Sequence, residues 1–246
     1  MGSVTMPSED SISYSPATAA AISNAKKLPY WQVNITPAER EEECPPFLQN
    51  LSQKDIGIIS TPNEAYRIWP WEEVRRTVET NRLDLFQRVP LELRRYLKYG
   101  YYLKQEYGTV MKYMLQNRLG WEEPVMPKGK TPFEDAAEED VKVLMNDWPY
   151  GIDERIVHLV VWIKFDLPEE EDGGDITDEA RETVEGYMRR TFYGRVKREH
   201  VVWFKNWKAL KSVGSVEHFH IMLFDPDPEF IHEITNEDKP MCASFV

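Results

Sequence analysis

Hydrophobic and polar residues follow a strand-like rhythm in three places in the C-terminal half. Arg155 to Phe165 (RIVHLVVWIKF) is apolar and β-branched, which predicts a strand, and His200 to Lys205 and Glu217 to Phe224 carry the same signature. An acidic loop, Glu169 to Asp175 with Gly173 and Gly174, leads out of the first strand. Thr177 then stands as a helix cap, with Asp178 and Glu179 in the first turn and Ala180, Val184, Tyr187, Met188 and Thr191 as the apolar stripe. The last two strands are joined by the loop Asn206 to Ser215, too short for a crossover helix, so antiparallel pairing is expected. This β-α-β-β part spans about residues 147–225.

The N-terminal half has a different rhythm. Residues 1–27 are rich in Ser, Thr, Ala and Pro and read as a disordered tail. Leu28 to Gln53 carries Pro29, Pro37, Pro45 and Pro46, which suggests an extended arm with one short helix from Pro37 to Glu43. Helical spacing begins after Pro70, where Trp71, Val74 and Val78 share a face. A second helix follows Pro90, with Leu93, Tyr96, Leu97 and Gly100 on one side, and a third runs through Val110 to Leu119. Val125 to Asp140 reads as a surface connection. The expected architecture is a single α+β domain over 28–246, with a helical part at about 62–120 packed on a small, mainly antiparallel sheet resembling that of histidine-triad proteins. A Rossmann-like α/β arrangement is the alternative.

Strand parity points to a site. Alternation sets Val157, Leu159, Val161 and Ile163 on one face and His158, Val160, Trp162 and Lys164 on the other. In the last strand Glu217, Phe219 and Ile221 oppose His218, His220 and Met222, and in the middle one Val201, Trp203 and Lys205 share a side. Three of the five histidines, with lysine and indole groups, could thus line a single wall. Such a wall suits a ligand bearing phosphate, carboxylate or a nucleobase. His218 and His220 with a third imidazole would also make a credible zinc geometry, a minor option because no supporting carboxylate pattern accompanies them.

Charge narrows the partners. The formal net charge is −12, against a protein coated in positive charge, yet Arg67 to Arg118 holds eleven Lys/Arg against six Asp/Glu. Arg75, Arg76, Arg94, Arg95 and Lys98 are the candidate contacts to a phosphate backbone. Cys44 and Cys242 form no metal-ligand spacing or disulfide framework. The longest apolar run, Leu159 to Ile163, is far short of a membrane span, and no secretory signal is visible, so a cytoplasmic protein without membrane or DNA partners is expected. No P-loop or Rossmann fingerprint occurs, so no ATP or dinucleotide cofactor is expected.

Several blocks, in order, carry a resemblance: Asp147-Trp148-Pro149-Tyr150-Gly151, His158 to Trp162, Trp203-Phe204-Lys205-Asn206-Trp207, Leu210 to Val213, and Glu217-His218-Phe219-His220. Over roughly Trp69 to Phe224 the chain resembles a fungal family of formerly unknown function, the N-acetylglucosamine-induced protein 1-like family, which includes arginine-containing cyclodipeptide synthases. The resemblance implies synthesis of a diketopiperazine from arginyl-tRNA and a second aminoacyl-tRNA, with aminoacyl-tRNAs as partners and no ATP. On that reading His220 or His218 is the base, Lys205 or Asn206 the oxyanion donor, and Glu217 an orienting or guanidinium-binding carboxylate. Asp147, Tyr150, His158, Trp162, Lys164 and Trp203 would contact substrate, and Asp153 and Glu154 are further carboxylates for the guanidinium. A histidine-triad-like nucleotide phosphohydrolase or transferase, or a non-catalytic small-molecule binder, are the alternatives. Ser212 lacks the surroundings of a nucleophile elbow.

Overall fold

The computed structural model describes residues 14–135, 138–171, 175–206 and 216–245. Ser212, Trp207, Gly173, Gly174 and the first thirteen residues of the expected tail lie outside them. Seven α-helices are described: α1 (Pro16–Ala25), α2 (Gln53–Ile59), α3 (Trp71–Glu79), α4 (Pro90–Tyr107), α5 (Val110–Tyr113), α6 (Asp178–Thr191) and α7 (Pro228–Thr235). Four strands accompany them: β1 (Val141–Met145), β2 (Ile156–Ile163), β3 (Val201–Phe204) and β4 (Glu217–Phe224). Where the sequence reads a tail and then one domain, the chain divides into two compact units. The first comprises residues up to Arg67 with Arg88–Leu97, and the second Ile68–Gln87 with Lys98 onward, so the division runs through α4.

In the first unit, Ser15 caps α1 by accepting the Thr18 N–H, and Pro16 opens the helix, which explains a helix where composition alone suggests a tail. Pro37–Glu39 forms a single 3₁₀ turn, shorter than the helix expected there. The core of the unit is Leu48, Ile58, Ile59 and Leu93, flanked by Tyr30, Trp31, Phe47 and Tyr96. Tyr30 donates its hydroxyl to the Leu48 carbonyl at 2.7 Å and lies 3.3 Å from Cys44 Sγ. Burial, then the Cys44 contact, pushes its phenol from the ordinary 10.0 up to about 12. A folded-state value above the unfolded one contributes stability below pH 10 that is lost as pH rises through about 12. Tyr30→Phe is therefore expected to flatten the decline of the urea midpoint across that range. An unchanged alkaline slope in the variant would refute this.

The second unit is built on one sheet of order β1-β2-β4-β3, with every pairing antiparallel. The α+β class is as the sequence predicts; parallel pairing, which the Rossmann-like alternative needs, is not what joins these strands. β4 lies between β2 and β3, so the connection through α6 joins strands two positions apart. β1 directly follows the segment read as a surface connection, where no strand is expected. One sheet face packs Leu159, Val161, Val201, Phe219, Ile221 and Leu223 against Ala180, Val184 and Met188 of α6, Phe192 at its C-cap, and Phe230 and Ile231 of α7. This is the larger apolar core, and the α6 stripe enters it as its 3.6-residue spacing requires. Thr177 Oγ1 accepts the Ala180 N–H and so starts that helix. Thr177→Ala is expected to lower unfolding stability by about 1 kcal/mol, read from a urea midpoint.

The other face carries Ile156, Val202, Phe204 and Met222 against Trp71, Val74, Leu83, Phe86 and Ile152. Gly151 anchors this side: its N–H donates to the Gln87 carbonyl and its own carbonyl accepts the Trp69 N–H. Among the described residues no helix is long and apolar enough to cross a membrane.

Candidate functional site

Register decides which side chains meet. Val160 pairs with His220, Trp162 with His218 and His158 with Met222, so one sheet face carries all three predicted histidines together with Trp162. Phe204 pairs with His220 and Val202 with Met222, which adds Phe204 and Val202 to the same face. All three imidazoles are buried.

Two of them touch. His158 Nε2 lies 3.0 Å from His220 Nδ1, and His220 Nε2 lies 3.1 Å from Asn206 Nδ2. With Asn206 donating into Nε2, a neutral His220 carries its proton on Nδ1, aimed at His158. Asn146 closes the other end. Its Oδ1 accepts the Trp148 N–H at 2.9 Å, which turns Nδ2 toward His158, 3.2 and 3.1 Å from the two ring nitrogens. The result is a chain, Asn146–His158–His220–Asn206, with an amide donor at each end, in which the orientation of both rings is fixed. The facing nitrogens of His158 and His220 aim at one another, the opposite of ligands converging on a common metal.

His218 is held differently. Its Nδ1 donates to the Val216 carbonyl oxygen at 2.9 Å, so the lone pair of the neutral ring lies on Nε2. Trp162 stacks on this ring at 4.5 Å and 28°, and Phe204 stacks on His220 at 5.0 Å and 12°. Tyr150 lies 5.4 Å from the His158 ring and stacks on Phe86 at 4.8 Å. An aromatic ring against each imidazole leaves it little rotational choice.

Other predicted site residues are placed elsewhere. Trp203 faces the opposite core, 5.9 Å from Phe219, because Phe204 and not Trp203 shares the parity of His220. Lys205 follows Trp203 to that side. Its Nζ lies 2.7 Å from Glu169 and 2.9 Å from Glu217, and it donates to the Leu167 carbonyl at 3.3 Å. Lys205 and Glu217 therefore form a buried ion pair behind the sheet and not an oxyanion donor and orienting group beside the histidines. Lys164 keeps the histidine-face parity, but its ammonium sits 3.2 Å from the fully buried Asp140 and 5.3 Å from the Trp121 ring.

Asp147 is taken by Arg118, which also grips Asp238: contacts of 3.2 and 2.8 Å to the first carboxylate and 2.6 and 2.9 Å to the second. Burial raises the Asp147 carboxyl above the ordinary range, opposed by the Arg118 charge. Asp153 is held down at about 2 by the Arg155 guanidinium and N–H, and Glu154 is exposed. The carboxylates expected to receive an arginine side chain are thus largely engaged by internal cations.

The basic residues also divide. Arg94 donates to the Trp31 carbonyl at 2.7 Å and lies over Phe47, and burial lowers its pKa. Arg95 pairs with Glu92 at 2.9 Å, Arg75 with Glu72 at 2.8 Å and Glu79 at 3.7 Å. Lys98 reaches to 5.7 Å above Phe245, and Arg76 is exposed. Intramolecular pairing, as i,i+3 and i,i+4 spacing on a helix favours, takes up part of the expected phosphate strip. Strand parity alone does not find Asn146, yet a local signal marks it: an Asn two residues before an N–H it can accept, followed by Pro149, is an Asx-turn pattern.

These features define an α+β protein with a four-stranded antiparallel sheet, one face of which buries a hydrogen-bonded histidine–asparagine chain. Residues 70–224 match the family described as protein of unknown function (DUF3605), and the chain belongs to that family. It is 26% identical over 204 residues to N-acetylglucosamine-induced protein 1 of Candida albicans, covering 75% of this chain and 80% of that protein. It is 27% identical over 181 residues to the uncharacterized protein YPL067C of Saccharomyces cerevisiae, covering 72% and 89%. Its fold resembles the crystal structure of HTC1, with a TM-score of 0.54 at 24% identity, over 70% of this chain and 98% of that one.

Proposed function

We propose that this protein is a tRNA-dependent cyclodipeptide synthase that joins arginine, delivered as arginyl-tRNA, to a second aminoacyl group. The observation that carries this reading is the buried chain Asn146–His158–His220–Asn206 with His218 beside it. The sequence blocks that resemble the family that includes arginine-containing synthases are those that contribute Tyr150, His158, Trp162, Phe204, Asn206, His218 and His220 to this wall. Joining two activated esters requires proton management and no ATP, and a wall of imidazoles and amides supplies the former.

In each of two equivalent steps an α-amine attacks an ester carbonyl. A C–N bond forms, the C–O bond to the ribose breaks, and the amine proton ends on the departing ribose hydroxyl. His218, with its Nδ1 fixed on Val216, offers Nε2 as the acceptor of that proton. His220 has both nitrogens engaged and acts as a positioning residue. The Asn206 amide, at the mouth of the chain, is the donor for the oxyanion in place of Lys205. Cytoplasmic aminoacyl-tRNAs are the substrates, and no cofactor takes part. A histidine-triad-like nucleotidyl transferase would share the His-x-His strand, but here the next alternating position is Met222, which packs in the apolar cluster with Trp71 and Phe86.

The test is expression in bacteria followed by mass spectrometry of the culture. An arginine-containing diketopiperazine is expected that is missing from a vector control. A soluble, cooperatively folded protein that yields none removes the reading.

A further inference from the structure

A cavity of about 560 Å³ follows the outer edge of the sheet and lies apart from the histidines. Its floor is the whole of β3 with Lys205, its one wall is Arg75, Val78 and Glu79 of α3, and its other wall is Arg181 and Glu185 of α6. Such a volume lies within the range of small-ligand sites.

The backbone of the floor has a definite polarity. Asp225 N–H donates to Arg155 O, and Asn146 N–H to His158 O, which fixes the alternation of ladder bonds along β2. Carried across β4, it points Val202 and Phe204 toward β4 and turns the N–H and C=O groups of Val201 and Trp203 outward. The side chain of Arg198 bears this out, since Nη1 donates to the Val201 carbonyl from the cavity side at 3.1 Å. Trp203 therefore presents one donor and one acceptor, in the plane of the sheet, to whatever enters the groove.

We propose that this groove binds a short peptide with a free C-terminal carboxylate, added to β3 as a fifth, antiparallel strand. A residue opposite Trp203 forms the doubly hydrogen-bonded pair, its N–H donating to the Trp203 carbonyl and its carbonyl accepting the Trp203 N–H. Antiparallel direction then carries the next residue toward Val201. The terminal carboxylate meets Arg198, which already lies along that edge, and Arg–carboxylate pairing favours this end over an uncharged one. The lining balances four cations (Arg75, Arg181, Arg198 and Lys205) against four acids (Glu79, Asp175, Glu185 and Glu199), so a zwitterionic peptide adds no net charge. This site shares no histidine with the proposed synthase chemistry, and either reading stands or falls without the other.

The test is isothermal titration of the full chain with Ala-Ala-Ala and three modified forms. Saturable one-to-one binding is expected, weakened at least tenfold by C-terminal amidation and at least fivefold by N-methylation of the middle residue, which removes the proton bound for the Trp203 carbonyl. Acetylating the N-terminus is expected to have the smaller effect. Arg198→Ala, an exposed position, is expected to reproduce the amidation penalty with an unchanged melting temperature. No binding of Ala-Ala-Ala overturns the proposal, and so does binding of the amidated or the N-methylated peptide as tight as that of Ala-Ala-Ala.

Discussion

His218→Gln is expected to lower the yield of cyclic dipeptide by about 100-fold or more while the protein remains folded, since a positioned base typically contributes 10²–10⁴-fold. Glutamine is the informative replacement. Its amide can still donate to the Val216 carbonyl and lie against Trp162, so the loss reports the missing Nε2 base and not a collapsed wall. Alanine would also leave a void beneath the indole, and any fall in output would then mix chemistry with packing. His158→Gln and Asn206→Ala act through His220 or on the oxyanion, so smaller losses are expected, about 5–30-fold, in kcat more than in KM. His158→Gln is also expected to change the pH profile of the rate, because His220 then faces an amide in place of an imidazole. A folded His218→Gln protein with undiminished output would sink the assignment of the base and leave the family membership untouched.

Much of this wall was legible because parity within one strand depends on the chain alone. His218 and His220 share a face wherever β4 pairs, and His158 shares one with Trp162 for the same reason. The relative parity of two strands is another matter. It depends on register, and a shift of one residue would have placed Trp203 and Lys205 beside the histidines instead of Phe204 and Asn206. β1 escaped notice because it is short, carries Lys142, and follows a stretch rich in Pro and Gly. Its partner β2, by contrast, is a nearly continuous apolar run. α6 was legible from cap to stripe, since all its signals are local. The clamp formed by Arg118, Asp147 and Asp238 was not. Its members stand 29 and 120 positions from Arg118, and nothing local to any of them marks a long-range ion pair.

That clamp is expected to contribute strongly to the stability of the second unit. Arg118 lies in a π-helical turn, Met114–Leu119, which ends at Gly120 in the left-handed region, φ 63°. Both carboxylates it grips have further duties: Asp147 accepts the Met241 N–H at 3.0 Å, and Asp238 accepts the Met145 N–H at 2.9 Å. The three side chains are only 10–15% exposed, so removing the cation leaves two nearby carboxylates repelling one another out of water. Arg118→Met is expected to cost about 3–5 kcal/mol at pH 7, read from chemical denaturation. The pH dependence has a fixed sign. Burial already raises the Asp147 carboxyl and the loss of Arg118 removes what opposes it, so the penalty is full at neutral pH and shrinks as acid protonates that carboxyl in the folded state. The triple variant, Arg118→Met with Asp147→Asn and Asp238→Asn, should recover much of the loss, because no charge is then left buried. A single substitution costing under 1 kcal/mol, or a penalty that does not change between pH 7 and pH 4, would mean that water reaches the two carboxylates and the clamp is not what holds the C-terminal segment to β1.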